Sequence, residues 1–268
     1  MSGTGSGGLR AAAALALDIL FPRACLHCKR DLPLSLRRSC GGGTAAARIL
    51  RRTEETPPAP LCSDCLSRLE PLPELICQSC GIPLPDGGAH CRRCRGWKAR
   101  RRKCALIRAA LVFNPQARSL IHHLKYKGKS SVAEFLSGYM ASALERYGEL
   151  APFHYLAAVP VSKTRQAERG YNQSLELARA LAGRTGLPLL EPALEKPRDT
   201  PRQALLDRAA RLENLRSAFC AAPGADLRRK TVLLIDDVAT TGATLESCAA
   251  ALKAAGALRV AALAAARE

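Results

Sequence analysis

The stretch TVLLIDDVATTGATLES, residues 231–247, decides the fold that this sequence predicts. Its apolar run Val232–Ile235 is typical of a short strand that is buried on both faces of a sheet. The acidic pair Asp236–Asp237 follows at once, and then comes a loop of small and hydroxyl-bearing residues, 238–244. Apolar residues recur at helical spacing from Leu245 onward. The stretch therefore predicts a strand, an acidic pair, a small-residue loop and a helix, in that order.

The loop and the acidic pair suit the two ends of a sugar phosphate. A loop that opens a helix exposes unpaired N–H groups, and the helix dipole favours an anion there. Threonine hydroxyls add donors, and the glycine lets the main chain approach a ligand closely. The acids Asp236 and Asp237, one step back along the chain, can accept hydrogen bonds from sugar hydroxyl groups. The residues expected to hold the phosphate are Ala239, Thr240, Thr241, Gly242, Ala243 and Thr244.

Two other interpretations of this stretch compete with a sugar-phosphate site. Phosphate-receiver domains also carry an acidic pair after a strand, where it holds magnesium, but that pair usually follows the first strand and lacks the TTGAT loop. A chance strand–turn–helix is the second alternative. A Walker phosphate loop is excluded, because the sequence GxxxxGK[ST] does not occur in the chain.

Cysteines dominate the first part of the chain: eight of the twelve form four CxxC pairs. A CxxC turn points two thiolates at one position, and two such turns complete a tetrahedral zinc site. The simplest pairing joins the first two pairs and the last two, which gives two structural zinc sites; crossed pairing and a single occupied site stay open. His27 and His90 are expected to be bystanders. The expected ligands are Cys25, Cys28, Cys62, Cys65, Cys77, Cys80, Cys91 and Cys94.

The formal net charge of +18 favours nucleic acid or phosphorylated ligands as partners. A basic stripe, residues 92–103, surrounds the single tryptophan, Trp97. Cations around one aromatic ring suit the phosphates and bases of a single nucleic-acid strand, and a solvated basic linker is the alternative. No apolar run reaches the length of a membrane helix, so no membrane span is expected.

The pattern of the chain predicts three parts: an N-terminal segment, 1–21; a cysteine-rich, double zinc-ribbon module, 22–104, with a flexible insert at 36–60; and a main domain, 105–268. In the main domain, apolar runs and helical periodicity predict strands over 106–113, 155–161, 187–190 and 232–235, and helices over 119–126, 132–147 and from Asn172 or Ser174 onward. Strands that alternate with helices imply an α/β fold with a mostly parallel sheet, and ligands over the carboxyl ends of its strands.

Two polar segments of the main domain are expected to lie over that edge. Lys163 and Arg165 follow the strand predicted over 155–161, and cations opposite the acidic pair suit a pyrophosphate group. An ordinary charged loop is the alternative. The segment 198–216 is expected to form a lid that shields the reaction from water, with a simple exposed connection as its alternative.

Residues 232–244, VLLIDDVATTGAT, are similar to the phosphoribosyl-pyrophosphate motif of type I phosphoribosyltransferases. Over nearly all of 18–268 the chain resembles the ComF family, the competence-protein-F-like phosphoribosyltransferases. The insert at 36–60 departs from that family, and so does Ser162–Thr164, where a Leu-His-Pro-like run is more usual. The resemblance rests on the motif and on LFP (20–22), IHHLKY (121–126), ERGYNQ (168–173), DTPRQ (199–203) and NLR (214–216).

The resemblance implies a type I phosphoribosyltransferase fold, with helices flanking the sheet, in a cytoplasmic protein. It implies Mg²⁺-dependent binding of phosphoribosyl pyrophosphate and transfer of the phosphoribosyl group with release of pyrophosphate. We therefore expect an enzyme, a pentosyl-transferring glycosyltransferase. Asp236 and Asp237 would be the catalytic residues that hold the ribose diol, residues 239–244 would hold the 5′-phosphate, and Lys163 and Arg165 would steady the leaving group.

The alternative function is a non-catalytic factor that handles single-stranded DNA in natural competence and DNA uptake. The strand would then bind through residues 92–103 and the zinc module. Two kinds of assembly stay open, a homodimer and a complex with a partner in the competence machinery.

Overall fold

A parallel sheet forms the centre of the computed structural model, which describes residues 23–32, 59–95, 102–126, 130–150, 152–197, 218–224 and 226–268. Four strands build this sheet in the order β1-β6-β5-β2, and all three pairings are parallel. The strands β3 and β4 pair antiparallel as a separate ribbon. In chain order the strands are β1 (Ile107–Val112), β2 (Tyr155–Ala158), β3 (Leu194–Glu195), β4 (Cys220–Ala221), β5 (Thr231–Ala239) and β6 (Arg259–Arg267). The α/β fold with a mostly parallel sheet is confirmed.

Helices cover both faces of the sheet. They are α1 (Ser63–Ser67), α2 (Pro115–Tyr126), α3 (Ser130–Arg146), α4 (Lys163–Arg169), α5 (Gln173–Thr185) and α6 (Ala243–Ala254), with a 3₁₀ turn at Gly148–Leu150. Side chains of β5 alternate between the faces, as the two-residue period of a strand requires. Leu233 and Ile235 pack in the core that includes α2, α3 and α5, whereas Val232 and Leu234 pack in the core that includes α6.

The cysteine-rich module joins the sheet at the edge strand β1. The N–H of Val112 donates to the Glu70 carbonyl at 2.8 Å, and the N–H of Leu72 donates to the Ala110 carbonyl at 3.1 Å. Residues 70–72 therefore pair with β1 through one isolated antiparallel bridge, Pro71 to Leu111. An exposed sheet edge is a template for unwanted pairing, so this contact also protects the fold.

Helices α2, α3, α5 and α6 agree with the predicted ones, and capping residues explain where two of them begin. Helix α2 starts earlier than expected, at Pro115, because the Asn114 side chain accepts from the Ala117 N–H at 3.0 Å and caps it. Helix α5 is capped by Asn172, whose side chain accepts from the Ser174 N–H. The helix predicted over 132–147 is α3.

Three predicted strand boundaries are wrong. The strand predicted over 155–161 ends at Ala158, and the charged loop expected next is helix α4, which Ser162 caps through the Arg165 N–H. The strand predicted over 187–190 is limited to one bridge, Leu156 to Leu189. The strand predicted over 232–235 continues to Ala239, because its ladder with β6 extends past the acidic pair.

Several predicted features lie outside the described residues. They are the N-terminal segment 1–21, the insert 36–60 except its last two residues, the lid at 198–216, and Trp97 with the middle of the basic stripe. In the part of the chain that the structure describes, no helix has the length and apolarity that crossing a membrane demands.

Candidate functional site

Asp236 and Asp237 lie side by side in β5, with only 9% and 5% of their surface exposed. The Ser174 hydroxyl, at the start of α5, donates to Asp236 Oδ1 at 2.9 Å, and the Asp237 N–H donates to the same oxygen at 2.9 Å. The Val238 N–H donates to Asp237 Oδ1 at 2.8 Å. Burial, and after it the neighbouring charge of Asp237, raise the pKa of Asp236 to about 8, although the hydrogen bonds from Ser174 and from the Asp237 N–H act in the opposite direction. Burial therefore disfavours the ionised form of Asp236.

Lys125, in the last turn of α2, is the cation of this acidic pair, and its Nζ lies 2.7 Å from Asp237 Oδ2. No role was predicted for it, although the family stretch IHHLKY contains it, because only the fold brings α2 to the end of β5. Lys163 and Arg165, expected opposite the pair, are exposed on α4. Among the ion pairs of the described residues, those of Asp236 and Asp237 include neither of these cations.

The predicted phosphate-binding residues, Ala239–Thr244, form what we call the hydroxyl loop, which joins β5 to α6. Thr240 and Thr241 are exposed to solvent there. Gly242 is the N-cap of α6 with φ of 78°, and a Cβ at this position would lie 2.8 Å from Ile107 Cδ1. Only glycine therefore fits, and the loop presents exposed hydroxyl groups at the start of a twelve-residue helix, where an anion is favoured.

Arg267, at the end of β6, holds the beginning of the hydroxyl loop through hydrogen bonds to its carbonyl oxygens. Its side chain is buried, and its Nη1 donates to the carbonyl oxygens of Ala239 at 2.5 Å, of Glu268 at 2.7 Å, and also of Thr240. No role was predicted for this residue, because a lone arginine at the end of an alanine-rich stretch carries no motif.

The eight predicted ligand cysteines form two groups. The first cysteine cluster contains Cys25, Cys28, Cys62 and Cys65, the second contains Cys77, Cys80, Cys91 and Cys94, and the sulfurs of each lie within 4.8 Å of one another. The structure groups the cysteines as the simplest of these pairings does. Two bystander histidines bond to serines instead, His27 to Ser119 at 2.9 Å and His90 to Ser79 at 3.3 Å.

The geometry of both clusters fits zinc. Ligands about 2.3 Å from a tetrahedral zinc ion lie about 3.8 Å apart. The Cys28 and Cys62 sulfurs are separated by 3.6 Å, and those of Cys80 and Cys91 by 3.7 Å, far beyond a disulfide bond. In the first cluster, burial raises the pKa of Cys25, but N–H donors from the surrounding turns outweigh it and lower this pKa to about 6. A thiolate at neutral pH is the form that binds metal.

The basic stripe is described at its two ends. Arg92, Arg93 and Arg95 are exposed around the second cysteine cluster. Arg102, by contrast, forms an ion pair with Glu246 of α6 at 2.7 Å, and only 16% of its side chain is exposed. Arg102 therefore belongs to the packing of the chain, while the three arginines at the first end face solvent.

Comparisons with known proteins agree with this architecture. Residues 176–268, which contain most of α5 and all of β5, the hydroxyl loop and β6, match the description Phosphoribosyl transferase domain. The chain is 29% identical to the competence protein ComFC of Bacillus subtilis, over 73% of this chain and 79% of that one. It is 28% identical to ComFC of Streptococcus pneumoniae, over 87% and 94%. It is also 28% identical to the DNA utilization protein YhgH of Escherichia coli K12, over 75% and 87%.

Three findings agree: the two cysteine clusters, the parallel sheet with its phosphoribosyl transferase match, and the relatives that align along most of the chain. They confirm the resemblance that the sequence motifs indicated. The chain is thus similar along most of its length to competence proteins of the ComF type, and its two cysteine clusters, which fit zinc ribbons, precede the region that matches a phosphoribosyl transferase domain.

Proposed function

We propose that this chain binds phosphoribosyl pyrophosphate at the carboxyl end of β5 and transfers its phosphoribosyl group with release of pyrophosphate. One observation carries the proposal: two buried, adjacent carboxyl groups lie directly before an exposed hydroxyl loop that opens a helix. Carboxylates suit the diol of a pentose, and the loop suits its phosphate. A ligand with both groups, a few atoms apart, matches both halves of the site.

Each part of the site has a proposed role. Residues 239–244 hold the 5′-phosphate through N–H and hydroxyl donors, and Asp236 and Asp237 hold the ribose hydroxyls. Positive charge develops on the ribose as the bond to pyrophosphate breaks, so a carboxylate near it stabilises the transition state. Lys163 and Arg165 stay the cations proposed for the leaving group, since α4 follows β2 at the same edge of the sheet. A nucleophile held against C1 completes the displacement.

Magnesium is the cofactor proposed for the ligand, and the residues present fit it. Mg²⁺ prefers oxygen ligands and is usually held by one or two carboxylates together with substrate phosphates. Asp236 and Asp237 supply such oxygens, and Ser174 and Lys125 orient them. When bound, the ion neutralises charge on the pyrophosphate.

Calorimetry tests the binding step. The wild-type chain should bind phosphoribosyl pyrophosphate only with Mg²⁺ present, and the double variant Asp236→Asn with Asp237→Asn should lose binding. Asp226→Asn is the matched control, because Asp226 is an exposed acid before the opposite end of β5 and pairs with Arg228. Unchanged affinity in the double variant would remove the site from consideration.

A turnover assay tests the transfer step separately. Pyrophosphate release is followed with a panel of bases and amines as acceptors, in the presence of Mg²⁺. Release that depends on one acceptor identifies an enzyme and its acceptor class together. Tight binding with no release from any acceptor would instead support a role that ends at binding.

A second candidate function, handling of single-stranded DNA, is favoured by a specific surface. Arg92, Arg93 and Arg95 are exposed around the second cysteine cluster, in a chain with a net charge of +18. Relatives of this chain carry the names competence protein and DNA utilization protein. Exposed arginines in a row suit the phosphates of a strand.

Fluorescence anisotropy with a labelled single strand tests this second function. Each phosphate contact contributes about 0.7 to the slope of log affinity against log salt for single strands. The variant Arg92→Ser with Arg95→Ser should therefore flatten the slope by about 1.4, whereas Arg228→Ser, an exposed arginine elsewhere, should leave it unchanged. A wild-type chain that ignores single strands at low salt ends this hypothesis.

A further inference from the structure

The second cysteine cluster lies against the hydroxyl loop, and several contacts join the two. One is a buried arginine: Arg267 donates Nε to the carbonyl oxygen of Cys80 at 3.1 Å while its Nη1 holds the carbonyls of Ala239 and Thr240. A buried guanidinium is costly unless its donors are satisfied, and its fork has a fixed shape. The cysteine turn and the start of the loop are thereby held in one geometry by one side chain.

A second contact comes from the other turn of the same cluster. Arg93 lies between the ligands Cys91 and Cys94, and its Nη2 donates to the carbonyl oxygen of Thr241 at 3.3 Å. Its side chain is exposed, so it stands at the rim of the loop where a phosphate would lie. A guanidinium has five N–H donors in a planar fork, which suits bidentate contact with phosphate oxygens.

A third contact ties the first turn of α6 to the cluster. Arg102 contacts Glu246 Oε1 through Nε at 2.7 Å and donates Nη1 to the sulfur of Cys94 at 3.4 Å. The other oxygen of Glu246 accepts the N–H groups of Lys103 and Cys104, at 2.9 Å and 3.2 Å. The helix that would receive the phosphate is therefore anchored, through Arg102, to the sulfur of Cys94 in the second cluster.

Packing completes the connection through a single residue, Ile107, whose main chain faces Gly81 and whose side chain faces Gly242. A Cβ on Gly81, next to the ligand Cys80, would lie 2.5 Å from the carbonyl oxygen of Ile107. A Cβ on Gly242 would lie 2.8 Å from Cδ1 of the same residue. Ile107 is fully buried, so the cysteine turn and the loop press against it from two sides. A shift of one turn would displace the other.

The first cysteine cluster has different surroundings. Cys25, Cys62 and Cys65 pack in the core that includes α2, and His27 bonds to Ser119 of that helix. No hydrogen bond that the structure gives in its described part joins the first cluster to residues 239–246. The two clusters therefore allow an internal comparison within one chain.

We propose that the second cysteine cluster, with its metal bound, is a working part of the phosphate site. Arg93 contacts the phosphate of the ligand, and Arg267 is a positioning residue that holds the loop and the cysteine turn in register. Metal in the second cluster and a sugar phosphate at the loop consequently strengthen each other's binding. This inference rests on the proposed function for the identity of the ligand.

Linkage makes the proposal testable from the metal side. If metal strengthens ligand binding, the ligand must strengthen metal binding by the same factor. Zinc release from the full-length chain is followed with a coloured chelator, with and without Mg²⁺ and phosphoribosyl pyrophosphate, and also with ribose 5-phosphate. Ligand should slow release from the second cluster at least about fivefold and leave the first unchanged. Cys28→Ser and Cys91→Ser assign the two phases to their clusters.

Two arginine variants test the route. Arg93→Ser should weaken binding of ribose 5-phosphate about tenfold or more, the usual loss for a hydrogen bond between charged groups. Arg267→Lys keeps the charge without the fork; it should retain two zinc ions, yet ligand should no longer slow zinc release. Arg30→Ser is the matched control, since Arg30 is an exposed arginine beside the first cluster and pairs with Asp64.

The outcomes separate this inference from the proposed function. A wild-type chain that binds neither ligand removes both. A chain that binds phosphoribosyl pyrophosphate, but whose zinc release is indifferent to it and whose affinity survives Arg93→Ser, keeps the proposed function and overturns the coupling. Equal slowing of release from both clusters would also overturn it, because general stabilisation of the fold then explains the effect.

Discussion

Asp236 and Asp237 show how a fold keeps two adjacent acids inside a sheet. Two buried carboxylates cannot both stay ionised cheaply, and the structure solves this in two ways. Asp237 has the ammonium of Lys125 at 2.7 Å, whereas burial raises the pKa of Asp236 to about 8 and so favours its neutral form. The site therefore carries less negative charge at neutral pH than its sequence suggests, which lowers its repulsion of a phosphate.

Asp236→Asn should change how stability depends on pH. The pKa of Asp236 is raised to about 8 in the folded chain, so between about pH 4 and pH 8 the folded state binds a proton that the unfolded state has lost. Wild-type stability consequently falls as pH rises through this window and levels off above it. The variant lacks this term and should gain in Tm relative to wild type, by about 2–4 °C for each ~1 kcal/mol, as pH rises from 5 to 8.

Thermal unfolding of both proteins across that pH range measures the effect. Asp226→Asn serves as the control, because the hydrogen bond from Arg228 lowers the pKa of exposed Asp226. Asp226 therefore makes no contribution to the change of stability between pH 5 and pH 8. A Tm difference between wild type and Asp236→Asn that stays constant with pH would contradict the raised pKa.

Lys125→Met should destabilise the chain, because it leaves the buried carboxylate of Asp237 without its cation. Lys125 is 26% exposed, so we expect a loss of about 1–3 kcal/mol, less than a fully buried pair loses. Lys163→Met, on the exposed face of α4, should change stability by less than about 0.5 kcal/mol. Urea unfolding of both variants measures the difference, and equal losses would show that Lys125 contributes nothing particular.

Residues of the site divide sharply between those the sequence could predict and those it could not. The acidic pair and the hydroxyl loop are contiguous, so their chemistry is visible in one stretch. Lys125, Ser174 and Arg267 contact them from other helices and strands, and no local sequence pattern predicts such contacts. Lys163 and Arg165, whose contact with the leaving group stays a prediction, lie exposed on α4.

At the scale of elements, β5 and α6 were predictable because each carries a strong periodic signal, while β6 was not. Its core, Val260–Ala266, is mostly alanine, which favours helices over strands. It forms a strand because β1 and β5 pair with it on both sides and both of its faces are buried. Tertiary pairing overrides propensity here, and small side chains are tolerated in the middle of the sheet.

Helix α4 was missed because its sequence lacks the apolar periodicity of a helix. Residues 163–169 have charged and polar side chains on nearly every face, so no apolar period marks a helix. Its limits are local: Ser162 caps the beginning, and Gly170, with φ of 79°, ends it. Such signals identify the boundaries of a helix only after something else has indicated that it exists.

Gly242→Ala should destabilise the junction of β5 and α6 by two separable effects. The left-handed backbone at φ of 78° costs about 1–2 kcal/mol with a side chain, and contact with Ile107 at 2.8 Å adds about 1–3 kcal/mol. Gly170→Ala isolates the first effect, because its φ is 79° and a Cβ there meets nothing within 4 Å. The loss for Gly242→Ala, measured by urea unfolding, should be the larger.

A double-mutant cycle with Ile107→Val checks the steric part. Alone, this variant removes a buried methyl group and should cost about 0.5–1.5 kcal/mol. Combined with Gly242→Ala, it removes the atom that clashes and should cost less or even restore stability. Simple additivity of the two losses would mean that Gly242 matters for its backbone conformation alone.

At the scale of the whole molecule, the cysteine-rich module and the sheet share their hydrogen bonds and their core. Residues 70–72 pair with β1, and both hydrophobic cores contain residues from the module. The boundary predicted near residue 104 therefore marks a change of composition. The parts of the chain on its two sides are joined by hydrogen bonds and apolar packing. Zinc that folds the module should, for this reason, also protect one edge of the sheet.

Removal of zinc with a chelator should expose β1 and spare the middle of the sheet. The N–H of Val112 donates to Glu70 of the module, whereas Leu234 lies in β5 between two strands. Structural zinc contributes folding energy that a small module cannot replace. Hydrogen exchange at the Val112 amide should then accelerate about a hundredfold or more, while the Leu234 amide stays protected.

The zinc-loaded chain in the same buffer is the reference for this experiment, and each alternative result has a distinct meaning. Unchanged protection of Val112 would show that residues 70–72 stay paired with β1 without metal, so the module would fold on its apolar contacts alone. Loss of protection at Leu234 as well would show that the sheet cannot stand without the module. Selective exposure of β1 is what a sheet with two well-covered faces and one metal-dependent edge requires.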